Sequence, residues 1–170
     1  MPCSPMSGPP SRRQWLQMAA LAGAAVWSAA WAQARDKHLP STASLPQALQ
    51  QALLSKQPLV VMVSLEGCPF CKVVREHHLL PMQRDGLPVV QLNMRDKTPV
   101  LGFDGVTQTQ DALIRQWGVT LAPTVLFFGE RGQEVAARLK GAYLPDFYSA
   151  YLDDQLSVAR RAVARTHSPS

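Results

Sequence analysis

The residues best suited to chemistry lie in the stretch SLEGCPFCKVV, where Pro69 and Phe70 separate Cys68 from Cys71. Two thiols at this spacing can ligate a metal, close a small disulfide or exchange electrons with another disulfide. A zinc site needs about four ligands, and only His38, His77, His78 and His167 are present to add to the sulfurs. His77 follows Cys68 by nine positions on one predicted helix, roughly 13 Å away at 1.5 Å per residue, so it cannot share an ion with the pair. No metal and no cofactor is expected, and His77 and His78 read as solvated or packed helix residues. A disulfide stabilises by restricting the unfolded chain, and the effect grows with the loop it closes. This loop is very short, so a static staple is a weaker reading than exchange.

The surrounding elements must hold the two cysteines in place. SLPQALQQALLSKQ carries Ser44 and Gln47 in capping-box spacing, with Leu45, Leu49, Ala52 and Leu53 on one stripe, and predicts an amphipathic helix. PLVVMVSL is a continuous apolar run, the pattern of a strand buried on both faces, and LPVVQLNM reads as a second buried strand. KVVREHHLLPMQ predicts a helix that breaks near Pro81. RDKTPVLGFDG reads as a loop, with Phe103 and Asp104 packed as a turn on the fold, and TQTQDALIRQW as a helix with Thr107 and Gln110 as its capping box. APTVLFFGERGQEVAARLKGAY predicts an antiparallel hairpin turning at Glu130, Arg131 and Gly132. LPDFYSAYLDDQL closes the chain as a helix with Pro145 near its start. The order implies one α/β domain, a mixed central sheet with helices on both faces.

In this order the cysteine pair falls where a buried strand meets the first turn of a helix. Unpaired backbone N–H groups and the positive end of the helix dipole favour an anion there. A thiolate is such an anion, so Cys68 is the expected nucleophile. Cys71, one turn on, is placed to resolve the mixed disulfide that attack creates.

The N-terminal 34 residues read as an export signal. Arg12 and Arg13 precede an uncharged, alanine-rich run that ends in Ala32, Gln33 and Ala34, a basic flank, short centre and cleavable end. Ser11 to Gln17 resembles the twin-arginine consensus, so export in the folded state to the periplasm is expected, with general export as the alternative. The mature domain would run from residue 35 to 170, and membrane attachment would follow only if the signal stayed uncleaved. Cys3, Arg12 and Arg13 would leave with it, giving 15 basic against 12 acidic residues and a net charge of +3. That excess is too mild to argue for nucleic acid.

LVVMVSLEGCPFCK, VVQLNM, WGVTLAPTVLFFGERGQEV and KGAY, in this order and spacing, resemble the thioredoxin fold over residues 44–157. The resemblance implies a redox-active Cys68–Cys71 disulfide facing a cis-proline at Pro123. Ala122, Pro123 and Thr124 would shape the groove for an extended substrate peptide. Departures are as informative: Gly67, Met62 and Gln91 stand where thioredoxins proper carry Trp, a buried Asp and Lys. Glu66 is then the nearest carboxylate in sequence to assist the resolving thiol, and Pro69 and Phe70 would tune the pair. The expected function is a periplasmic, monomeric thiol:disulfide oxidoreductase that reduces partner-protein disulfides through transient mixed disulfides. Its own electron donor or acceptor would be a further protein. A disulfide-forming oxidase and a non-catalytic binding module with a static disulfide are the alternatives.

Overall fold

Strand β1, Leu59–Ser64, is built from branched apolar residues and is buried along its whole length. A strand with no exposed face needs cover on both sides. Strand β2, Val89–Asn93, lies parallel to it with Gln91 opposite Met62, and strand β5, Thr124–Phe128, lies antiparallel on its other edge with Val125 opposite Met62. The two-residue strand β6, Leu139–Lys140, pairs with β5, so the mixed sheet has the order β2-β1-β5-β6. The computed structural model describes residues 38–142 and 145–166, without the side chains of 145 and 146, all within one compact unit that begins at His38. The expected export signal, its cleavage site near Ala34, and His167 lie outside these residues.

Alternation along the strands sends side chains to two separate cores. Val60, Met62, Val125 and Phe127 meet helix α5, Pro145–Thr166, through Tyr148, Leu152 and Leu156. Leu59, Val61, Leu126 and Phe128 meet helix α1, Leu45–Leu54, through Leu45, Leu49 and Ala52. Helices therefore cover both faces. Ser44 caps α1 as expected, its hydroxyl accepting the Gln47 N–H at 3.3 Å.

The helix after the cysteines does not break at Pro81. Helix α2, Pro69–Val73, widens into a π turn over Val74–Leu79 and continues as α3, Leu80–Arg84. Within the turn the Leu80 N–H bonds to the Arg75 carbonyl, five residues back. The wider turn makes room for a proline ring that would otherwise strike the carbonyl four residues earlier. Leu79 and Leu80 are both buried there, so apolar burial carries the helix through the proline.

The expected loop RDKTPVLGFDG also holds structure: β3, Pro99–Leu101, pairs antiparallel with β4, Thr107–Thr109. Thr107 therefore belongs to a strand, helix α4 spans Gln110–Gln116, and the expected Thr107–Gln110 capping box does not form. Gln110 turns inward instead, buried, and its side-chain carbonyl accepts the Asn93 N–H at 2.7 Å. The end of β2 would otherwise leave that N–H unpaired. Phe103 packs on Phe128 and Trp117, with ring centroids 4.7 and 6.3 Å away, as the packed turn predicted. It also lies directly against Gly132, whose φ of 69° and lack of space for a Cβ both call for glycine.

The predicted hairpin is shorter than its sequence suggests. It turns through the 3-10 segment Glu130–Gly132 and bridges once at Phe128 and Glu134, then leaves the ladder until Leu139. Arg138 occupies the gap, donating to the Trp117 carbonyl at 2.8 Å and pairing with Glu134.

Replacing Gln110 with Ala removes the acceptor from the part-buried Asn93 N–H. Urea unfolding is expected to show a loss of about 1–3 kcal/mol; an unchanged midpoint would mean that the N–H finds another partner.

Candidate functional site

The chain leaves β1 at Ser64 and turns back through Gly67, whose φ is 73°. The Cys68 N–H closes this turn on the Leu65 carbonyl at 3.2 Å. Cys68 then occupies the N-cap of α2 with φ −77° and ψ 114°. An N-cap side chain faces the first unpaired N–H groups of its helix. Here that side chain is a thiol, and its Sγ accepts the Cys71 N–H at 3.1 Å. Such a contact favours a negative sulfur. Pro69 pre-sets the first helical residue, while Phe70 stands out at 59% exposed.

The second thiol has the opposite surroundings. Cys71 is 1% exposed within the apolar cluster of Met62, Val74 and Tyr148. Burial pushes its thiol up to about 11, and the neighbouring Cys68 sulfur pushes the same way. Hydrogen bonding to the Leu65 backbone and the Ser64 side chain offsets part of that rise. Cys68 is only half-buried, and both cysteines are free thiols. The geometry divides the work: one sulfur is reachable and accepts a helix N–H, the other is sequestered and protonated at neutral pH.

Ala122 packs against the same cluster as Cys68, and the Ala122–Pro123 peptide bond is cis. Pro123 is buried, and the Thr124 hydroxyl donates to the Leu121 carbonyl at 2.7 Å. Met62 is fully buried opposite Gln91, so the position where a carboxylate was missed in the sequence is an apolar wall of the Cys71 cluster. Glu66 is exposed; the hydrogen bonds to Cys71 come from Leu65 and Ser64. Sequence reasoning overlooked Ser64, although the signal was present: alternation places it on the same strand face as Val60 and Met62.

A cleft of ≈ 1160 Å³ opens beside Cys68, at the carboxyl ends of the parallel strands β1 and β2. Glu66, Gly67, Cys68 and Pro69 form one wall, and Met94, Arg95, Asp96 and Lys97 form another. Arg75 and Gln91 lie between them, joined at 3.3 Å, and Gln91 donates to Asn93 at 2.9 Å. Ala122, Pro123 and Thr124 do not line this cleft. The exposed His38 does.

The remaining histidines lie elsewhere. His77 is exposed, and His78 packs on Tyr148 with ring centroids 4.9 Å apart and its Nδ1 3.1 Å from the Ser149 hydroxyl. Burial, then the charge of His77, holds His78 below its ordinary value, against an opposing pull from Asp153. Among the described residues, no group of three or more His, Cys, Asp or Glu side chains is placed to hold a metal. No helix among them is long and apolar enough to cross a membrane.

A family model described as a thioredoxin-like domain matches residues 45–156. Solved structures similar to this chain include mitochondrial thioredoxin 3 from Saccharomyces cerevisiae, at 16% identity over 70% of this chain and 93% of that one, with a TM-score of 0.46. The periplasmic thioredoxin SoxS from Paracoccus pantotrophus matches at 21% identity over 61% of this chain and 99% of its own, with a TM-score of 0.40. The Schistosoma mansoni thioredoxin pre-protein matches at 16% identity over 71% and 96%, with a TM-score of 0.47. No curated protein sequence matches the chain.

The two thiols should separate in an alkylation experiment. Iodoacetamide at pH 8 is expected to modify Cys68 in the reduced protein and to spare Cys71, whose modification rises as the pH climbs toward about 11. Since Cys71 ionises more readily in the unfolded chain, the reduced fold should hold its stability below about pH 8.5 and lose it as the pH rises toward that folded value. Peptide mapping showing equal labelling of both cysteines at pH 8 would contradict the assignment.

Proposed function

Because the chain belongs to the thioredoxin-like domain family, we propose that it is a thiol:disulfide oxidoreductase that reduces disulfides of partner proteins. The observation that carries this reading is the pairing of a half-exposed Cys68, held by the Cys71 N–H, with a buried Cys71 whose proton is retained at neutral pH. Cys68 thiolate attacks one sulfur of the partner's disulfide, forming a mixed disulfide and releasing the other sulfur as a thiolate. Cys71 then displaces the first partner sulfur, closing the Cys68–Cys71 disulfide. The partner gains two electrons from this protein and two protons, one released by Cys71 and one from the solvent that took the Cys68 proton.

Support for the reducing direction comes from the modest stabilisation of the dithiol. Strong oxidants in this chemistry depend on a heavily stabilised reduced form. The burial of Cys71 and the hydrogen bond of its thiol with the Cys68 side chain both disfavour the Cys71 thiolate. Equilibration with glutathione is expected to give a potential near about −270 mV; a value near about −120 mV would make the protein an oxidase.

Cys71→Ser should accumulate mixed disulfides through Cys68, visible as higher bands on non-reducing gels. Cys68→Ser should abolish them. Failure of Cys71→Ser to trap any partner would favour a binding module with a static disulfide.

The same reading holds residues 1–34 to be an export signal of the twin-arginine type. Protein recovered from the periplasm should begin near Arg35, and Lys at both Arg12 and Arg13 should block its export. Undiminished export of that variant would favour the general route.

A further inference from the structure

Charge is distributed unevenly around the cleft beside Cys68. Lys72, Arg75, Arg95 and Lys97 line it against Glu66 and Asp96. Lys97 is committed, its Nζ 2.5 Å from the Asp111 carboxylate. Asp96 is turned onto its own loop, its Oδ1 accepting the Thr98 N–H at 2.8 Å. Lys72 and Arg95 are exposed, and among the described residues no carboxylate pairs with either of them or with Arg75. Among the described residues Arg75 bonds the neutral Gln91, and its buried Nε has no partner there. Three cations at the mouth of the reactive thiol thus lack counterions among the described residues.

We propose that this cleft selects the substrate: the partner is a protein whose disulfide is flanked by acidic residues, which lie along Lys72, Arg75 and Arg95 while Cys68 attacks the sulfur. The proposal rests on the exchange reaction above and names the substrate class of that same site. Guanidinium groups recognise carboxylates by two parallel hydrogen bonds, a role open to the exposed Arg95, while the Nε of Arg75 is buried and Arg75 contributes its charge. At 1160 Å³ the cleft exceeds the roughly 300–1,000 Å³ usual for small-molecule sites. It spans the ends of two strands and their following loops, which suits a peptide segment.

The acidic segment acts before and during attack. Opposite charge speeds encounter and fixes the register of the disulfide over Cys68, an effect that salt removes. Neither Phe70 nor Leu121, the exposed apolar residues near the thiol in sequence and beside Ala122, lines the cleft.

The test uses the purified protein, reduced and freed of reductant, and three peptides that share one internal disulfide but carry Glu, Gln or Lys at the flanking positions. Each exchange rate is divided by the rate of the same peptide with dithiothreitol, which removes differences in disulfide reactivity. The Glu peptide should exceed the Lys peptide by about tenfold at low salt and approach parity near 1 M, where the Debye length is about 3 Å. Lys72→Glu with Arg95→Glu should abolish or reverse the order while still reducing the Gln peptide. Equal wild-type rates, a preference for Lys, or a Glu preference that survives the double substitution would overturn the proposal and leave the exchange reaction standing. Glutathione disulfide reduced faster than the Glu peptide, on the same normalised scale, would make the cleft a small-molecule site and overturn it as well. No exchange with any disulfide would remove the reaction itself.

Discussion

Complete burial of β1 is the constraint from which the rest follows. A strand with both faces covered must have neighbours on both edges and helices above and below. Those requirements leave its carboxyl end as the place where the chain can emerge, and Cys68 stands there. The turn at Gly67 and the N-cap geometry of Cys68 are local consequences of going from that strand directly into a helix. The helix then carries Cys71 back beneath the surface into the cluster that contains Met62.

The two thiols differ because this path crosses the boundary between solvent and core within one turn. Cys68 stays half-exposed and accepts the Cys71 N–H, while Cys71 gains an apolar environment that penalises charge. Met62 reinforces the second effect by supplying methylene and sulfur contact in place of a carboxylate. Around the pair, polar groups form a connected series: Arg75 holds Gln91, Gln91 holds Asn93, and Gln110 receives the Asn93 backbone. The cleft is thereby tied to α4, a helix in the opposite core.

Local patterns read well where local energetics decided. The Ser44 cap, the apolar run of β1 and the Cys68 position all depend on neighbours a few residues away, whereas β2, expected buried, leaves Gln91 and Asn93 half-buried. Pro81 was misread because a proline is an obstacle only to an ordinary α-turn, and the burial of Leu79 and Leu80 favours a π turn that avoids the clash. Thr107 and Gln110 had capping-box spacing, yet Gln110 serves an N–H at the end of β2, seventeen positions away in sequence. The short strands at Pro99 and Thr107 escaped notice because three residues carry no clear period.

By itself the sequence determined which residues could react and which elements would carry them, because cysteine spacing, apolar runs and proline position act through the adjoining backbone. It also disclosed the missing acid at Met62. Only the tertiary structure decided that Cys71 is buried while Cys68 is not, that Ser64 reaches Cys71, and that Lys72, Arg75 and Arg95 share a cleft beside the nucleophile. Those properties depend on desolvation and on charges brought together from β2, α2 and their loops, and neither quantity exists until the parallel strands pair.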